Sequence, residues 1–173
     1  MIHISIFLLD GECFMINVLI NGSLGKMGKV LKDCIRNTPD LFVKYEIDKN
    51  TSLSFESLAS KNDKPDVIID FSTPKASMCA LDYAVCHLVP IVIATTGFSD
   101  SEYSKISEFS QAIPIFKASN MSYTIHLLGK ILGGISPFLS NMDIELVEKH
   151  HRYKKDSPSR NCTFSCRLYQ FCL

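Results

Sequence analysis

Ile16-Asn17-Val18-Leu19-Ile20-Asn21-Gly22-Ser23-Leu24-Gly25-Lys26-Met27-Gly28 decides the reading of this chain. A run rich in apolar residues enters a glycine loop, and the loop enters a helical pattern. Met27, Val30, Leu31, Cys34 and Ile35 recur at i, i+3, i+4, i+7 and i+8, which predicts one helix face turned to a core. A buried strand, a glycine turn and a helix N-terminus make an anion site, because free backbone N–H groups and the positive helix end point at a phosphate. Gly22 is expected to allow the tight turn, Gly25 the approach of a pyrophosphate, and Gly28 the packing of helix on strand. The spacing is G-x-x-G-x-x-G, not the strict G-x-G-x-x-G, so a glycine-rich turn without a ligand is the competing reading.

At 173 residues the chain can form one ordinary domain, or a domain and a piece of another, and 46% hydrophobic with 21% charged residues is a globular composition. Eighteen basic residues balance eighteen acidic ones without a basic stripe, so the electrostatic footprint of nucleic-acid binding is missing. Residues 1–14 hold an apolar stretch, Ile4 to Leu9, that is short, lacks a basic lead and is followed by Asp10 and Glu12. It fits neither a signal peptide nor a membrane span. Met15 is the expected native start, with 1–14 a non-native leader; an extra edge strand is the alternative. Of the seven Cys, Cys34, Cys79 and Cys86 are expected to face a core, and no pair has C-x-x-C spacing. A reduced, cytoplasmic setting follows from that pattern.

Outward from the glycine loop, Leu41 to Ile47 reads as a second strand ending at Asp48. Asp48 lies about twenty residues past the last glycine, where an acid can accept from a ribose hydroxyl. A plain turn former is the other reading of it, and Lys49 beside it is placed to meet a 2′-phosphate. Thr51 to Lys64 is polar, with room for one short helix. Asp66 to Phe71 is a buried-strand run, after which Thr73 as N-cap and Pro74 at the first helical position open a helix. Met78, Leu81, Val85 and Leu88 are its expected inner face. Ile91 to Ala94 is a fourth strand followed by the turn Thr95-Thr96-Gly97-Phe98, and Ser99 with Glu102 has capping-box spacing. Ile113 to Lys117 is a fifth strand, ending in Ala118-Ser119-Asn120. Ser122 to Leu139 reads as a helix with Leu128, Ile131, Leu132, Ile135, Phe138 and Leu139 on one side, weakened by Gly133-Gly134, and Asp143 to Val147 as a half-exposed strand.

Alternating strands and helices predict an α/β fold, a doubly wound parallel sheet covered on both faces. Ligands bind such sheets beyond the carboxyl ends of the strands. Gly22 to Met27, Asp48, Phe71-Ser72, Ala94 to Thr96 and Ala118 to Met121 would all line that one edge.

Beyond the last strand comes Glu148-Lys149-His150-His151-Arg152-Tyr153-Lys154-Lys155-Asp156. Three readings compete: a solvated basic loop, a metal site, and a site for an anionic substrate. Adjacent histidines face opposite ways on a strand and no Cys is near, which counts against a metal. Histidine exchanges protons near neutral pH and lysine neutralises carboxylates, so a nucleotide site earlier in the chain favours the third.

Over Met15 to Ser159 the sequence resembles the 4-hydroxy-tetrahydrodipicolinate reductase (dihydrodipicolinate reductase) family of diaminopimelate–lysine biosynthesis. The motifs that carry this are Gly22 to Gly28, Asp70-Phe71-Ser72-Thr73-Pro74, Thr95-Thr96-Gly97-Phe98, Asn120-Met121-Ser122 and Glu148 to Ser159. The resemblance implies a Rossmann-like dinucleotide-binding domain over 15–121 and an incomplete α+β substrate and oligomerisation domain over 122–159. It implies that Gly22, Ser23, Leu24, Gly25, Lys26 and Met27 hold the pyrophosphate of NADH or NADPH and that Asp48 holds the adenosine ribose. Ala94, Thr95, Thr96 and Ala118, Ser119, Asn120, Met121 would flank the nicotinamide. His150 would be the proton donor/acceptor, Lys154 a proton donor and His151 a substrate contact. The substrate would be a small cyclic dicarboxylate, with no metal, no nucleic acid and no membrane, in a family of homotetramers. A non-catalytic NAD(P)-binding remnant and a different nicotinamide oxidoreductase are the alternatives; the His150-His151 stretch speaks against the latter.

The resemblance breaks at Arg160. The family continues Ser-Gly-Thr-Ala where this chain has Ser159-Arg160-Asn161-Cys162, and Thr124 stands where the family usually has Gly. Codons GGA-ACT-GC displaced by one inserted A or C read Arg-Asn-Cys, so a frameshift is expected, with 160–173 an aberrant tail. A single strand of the second domain would then leave an edge unpaired and some apolar sheet surface uncovered, which predicts low stability, doubtful assembly and little reductase activity.

Overall fold

The structure, a computed structural model, describes residues 15–61, 63–118 and 121–139, with Glu145 and Val147. Two compact units divide the chain, one ending at Ala118 and one starting at Ser119.

The first unit alternates strand and helix: β1 (Ile16–Asn21), α1 (Lys26–Arg36), β2 (Leu41–Ile47), α2 (Phe55–Ala59), β3 (Val67–Asp70), α3 (Pro74–His87), β4 (Ile91–Ile93), α4 (Asp100–Phe109) and β5 (Ile115–Lys117). The five strands pair in parallel in the order β2-β1-β3-β4-β5, the expected doubly wound sheet. The winding reverses between β1 and β3, which opens a crevice beyond their carboxyl ends. Register places Asn21, Ile47, Asp70, Ile93 and Lys117 in one row along that edge.

Side chains of a strand alternate between faces, so β1 feeds two cores. Leu19 joins Ile68, Ile91 and Ile93 under α2, α3 and α4, with Phe55, Leu58, Leu81, Ala84 and Ile106. Val18 and Ile20 meet Ile35 of α1, with Leu31, Val43 and Ile69 packed around them. Phe116 on β5 is 53% exposed.

The packed face of α1 is not the expected one. Gly28, Leu31 and Ile35 face the sheet, while Met27 and Val30 are 52% and 53% exposed and Cys34 is exposed. Gly28 is the cause: a Cβ there would stand 2.3 Å from the Gly22 carbonyl oxygen, so the bare glycine is the point at which helix and turn touch, and the residues in line with it turn inward. On α3 the buried set is Ser77, Ala80, Leu81, Tyr83 and Ala84. Cys79 and Cys86 are exposed, so all three described cysteines depart from the core-facing expectation, and the compartment argument built on their burial loses that support. Leu88 is the left-handed C-cap of α3 (φ 55°) and 68% exposed, because the chain has already left the helix there.

The second unit contains α5 (Tyr123–Ile135), capped by Ser122, and a 3-10 turn over Ser136–Leu139. Its expected apolar side is open: Leu128, Ile131 and Phe138 are 45%, 52% and 81% exposed. Of the expected strand over 143–147, Glu145 and Val147 are described, and neither lies in a strand. Among the described residues no helix is long and apolar enough to cross a membrane.

Candidate functional site

The glycine turn is fixed from both sides. Gly22 and Ser23 donate their N–H groups to the Ile47 carbonyl at 2.8 and 3.3 Å, and Gly25 N–H donates to the Gly22 carbonyl at 3.2 Å. Gly22 has φ +83°, and a Cβ on it would lie 2.4 Å from the Phe71 carbonyl oxygen. Only glycine satisfies both the conformation and that approach.

α1 begins directly behind this turn, with Gly25 as an N-cap that offers no side-chain bond. α2, α3, α4 and α5 each have such a cap, from Ser54, Thr73, Ser99 and Ser122. The first amides of α1 therefore keep their hydrogen-bonding capacity, at the helix end whose dipole favours an anion. Ser23 Oγ adds a second sign: it is the buried side-chain polar atom without a partner among the described residues. An orphaned hydroxyl and uncapped amides in one turn fit a phosphate-bearing ligand.

The turn opens into a cleft of about 710 Å³. Gly22, Gly25 and Asp48 border it, and Leu53 and Phe55 supply an apolar wall suited to a flat base. Asp48 is the turn former that its position suggested. Its N–H donates to Thr51 Oγ1 at 2.9 Å and its carbonyl accepts from the same hydroxyl at 2.8 Å, forming the turn. Its Oδ2 accepts the Leu24 N–H at 3.1 Å, which holds the carboxyl group at the cleft edge. Glu56, also on the cleft, has its carboxyl held below the usual carboxylate range by its own backbone N–H and by Ser54.

Further along the edge, Ala94 N–H donates to the Asp70 carbonyl at 2.9 Å, and buried Thr95 accepts the Ser72 N–H on Oγ1 at 2.9 Å. Thr96 and Ala118 are half-buried. The Lys117 ammonium sits 4.4 Å from the Tyr103 ring centroid and 5.2 Å from that of Phe98, tying β5 to the loop after β4. Gly22 to Met27, Asp48, Ala94 to Thr96 and Ala118 thus share one sheet edge. Ser119, Asn120, His150, His151 and Lys154 lie outside the described residues, and Met121 falls in the second unit.

Sequence reading passed over a buried polar group at the centre of this edge. Asp70 is 0% exposed; its Oδ1 accepts from Asn21 Nδ2 at 2.8 Å and from Ser72 Oγ, and its Oδ2 accepts from Ser77 Oγ. The signal was an acid closing an otherwise apolar strand, which must find donors once desolvated. Phe55 was missed as well, although Ser54 and Ser57 form a reciprocal cap that announces its helix.

Comparison with known proteins gives consistent results. A family model described as dihydrodipicolinate reductase, N-terminus, matches residues 16–121. Curated relatives named 4-hydroxy-tetrahydrodipicolinate reductase include one from Clostridium novyi, 40% identical over 151 residues, covering 84% of this chain and 60% of the relative. Another, from Caldanaerobacter subterraneus, is 41% identical over 149 residues, covering 84% and 59%. A third, from Campylobacter jejuni, is 39% identical over 145 residues, covering 84% and 58%. The chain therefore spans about 60% of the length of the curated relatives it matches. A dipicolinate-bound dihydrodipicolinate reductase from Paenisporosarcina sp. TG-14 shares the fold, with TM-score 0.65 and 20% identity, covering 92% of this chain and 67% of that one.

Proposed function

This chain belongs to the dihydrodipicolinate reductase family, and from that premise we infer that its first unit binds NADH or NADPH and that the whole protein reduces 4-hydroxy-tetrahydrodipicolinate to tetrahydrodipicolinate in diaminopimelate and lysine biosynthesis. The observation that carries the cofactor part is the uncapped N-terminus of α1 behind the Gly22 turn, at the crevice where the sheet reverses. Gly22 to Met27 hold the pyrophosphate through backbone amides. Asp48 receives the adenosine ribose, Lys49 stands ready for a 2′-phosphate, and Leu53 and Phe55 flank the base. Ala94 to Thr96 and Ala118 to Met121 border the nicotinamide, which supplies hydride chemistry when the cofactor is bound.

His150, His151 and Lys154 complete the assignment by family resemblance. The substrate is a small cyclic dicarboxylate, so the cationic run from Lys149 to Lys155 offsets its charge. His150 and Lys154 move protons near neutral pH, and His151 holds the substrate. Relatives 40% and 41% identical over 84% of this chain carry the name of this activity, which supports the reading over a non-catalytic remnant.

Fluorescence titration of the chain with NADH and NADPH tests the first half, with saturable binding of at least one expected. A turnover assay with 4-hydroxy-tetrahydrodipicolinate on the whole protein tests the second. There His150→Ala is expected to cut kcat by about a hundredfold or more while NADH affinity holds, as befits loss of a proton-transfer group. Equal kcat in the two proteins would overturn the role of His150.

A further inference from the structure

We propose that Asp70 and Asn21 are positioning residues that set the spacing between the two halves of the dinucleotide cleft, the glycine turn and the loop after β4. The proposal rests on the cofactor reading above and deepens it.

The two side chains are register partners on the central strands, at the carboxyl edge. Both are buried, at 0% and 2% exposure, and no cation pairs with Asp70 among the described residues. Taking a carboxyl group out of water is costly, and two apolar side chains in the same register would hold the sheet without that cost. What the apolar pair would lack is direction. Asp70 gathers donors from three segments: Asn21 on β1, Ser72 after β3 and Ser77 on α3. Asn21 Nδ2 also reaches Ser72 Oγ at 2.9 Å and the Ala76 carbonyl at 3.3 Å. The path then continues outward at both ends. Asn21 is bonded covalently to Gly22, the first residue of the turn. Ser72 N–H donates to Thr95 Oγ1 at 2.9 Å, the first threonine of the loop after β4.

The path Gly22–Asn21–Asp70–Ser72–Thr95 therefore joins the phosphate turn to the nicotinamide-side loop through directional bonds, within one unit, buried at Asn21 and Asp70 and partly buried at Ser72. A ligand that touches both ends depends on this spacing. A ligand that touches the turn alone does not. Disturbing Asp70 should weaken a complete dinucleotide more than its adenosine half.

The experiment compares NADH with ADP-ribose, which lacks the nicotinamide, by calorimetric titration of the full chain. Two disrupting variants and one rescue are used: Asp70→Asn, which keeps the side-chain size, Ser77→Ala, which removes a donor to Asp70 from a residue off the cleft, and Ser77→Thr as the rescue. Circular dichroism melts establish that each is folded at the titration temperature. Asp70→Asn is expected to weaken NADH by about tenfold and Ser77→Ala by about threefold, the scale of one lost or misdirected hydrogen bond, with ADP-ribose within about twofold of wild type. Ser77→Thr, which keeps the hydroxyl, should restore the wild-type NADH affinity. Equal weakening of both ligands, or no weakening of either, would overturn the proposal. Should Asp70→Asn fail to fold, Ser77→Ala and its Thr rescue decide the matter by the same two outcomes. Wild-type protein that binds neither ligand would sink the cofactor reading and this proposal with it. Wild-type binding of both, with variants that do not tell them apart, would sink the proposal alone.

Discussion

Two kinds of glycine sit in this chain, and they should answer to alanine in opposite directions. Gly22 has φ +83° and no room for a Cβ beside the Phe71 carbonyl. Gly22→Ala is expected to cost about 1–3 kcal/mol of stability for the strained backbone alone, more for the clash, and to abolish NADH binding. Gly133 and Gly134 lie inside α5 with nothing within 4 Å of a built Cβ. Alanine there should stabilise the helix by about 0.5–1 kcal/mol per site, read from urea denaturation followed by circular dichroism. A destabilising result at Gly134 would mean that something covers that face.

Among the elements, the helix ends separate structure from function. Ser54 and Ser99 close reciprocal caps, so Ser99→Ala should cost about 0.5–2 kcal/mol without touching ligand affinity. Gly25 is the opposite case. Gly25→Asp puts a carboxylate where the α1 amides await an anion. Stability should shift by only a few tenths of a kcal/mol, whereas NADH affinity should fall by more than about tenfold. A variant that still binds NADH at wild-type affinity would mean the pyrophosphate does not use that helix end. A different tie holds β2 to the segment after α2. Lys44 donates to Asp63, and this bond holds the Asp63 carboxyl below the usual carboxylate range and the Lys44 ammonium above its ordinary value. A lowered acid contributes stability that is present above its ordinary pKa and fades as pH falls through the lowered one. Lys44's share, conversely, fades as pH rises through its raised value. Melting temperatures across the acid range should therefore fall less steeply in Asp63→Asn than in wild type; identical acid limbs would show the pair to be inconsequential, as exposed pairs often are.

Across the whole molecule, apolar burial divides unevenly. Leu81 is fully buried beneath the sheet, and Leu81→Ala should cost about 2–5 kcal/mol. Leu128 on α5 is 45% exposed, and Leu128→Ala should stay within about 0.5 kcal/mol of wild type in the same urea titration. The order of elements was legible in the chain, because strands of one period and helices of another alternate with glycine, proline and serine marking their ends; Leu41–Ile47, the Thr73 cap with Pro74, and the Ser99–Glu102 cap stand where their residues placed them. Which helix face turned inward was not. Counting apolar residues put Met27 and Cys34 inside, yet Gly28 seats α1 by contact and leaves both exposed. The glycine turn and the strand-end place of Asp48 could be read because both are local features. Asn21, Asp70, Ser72 and Thr95 could not be joined on paper, because their bonds cross three strand ends and depend on register. Sequence alone determined the α/β class and the strand–glycine turn–helix unit, through periodicity and backbone chemistry that act over a few residues. Only the tertiary structure decided the packing faces and the buried polar path, because those arise where segments far apart in the chain meet and must share space and hydrogen bonds.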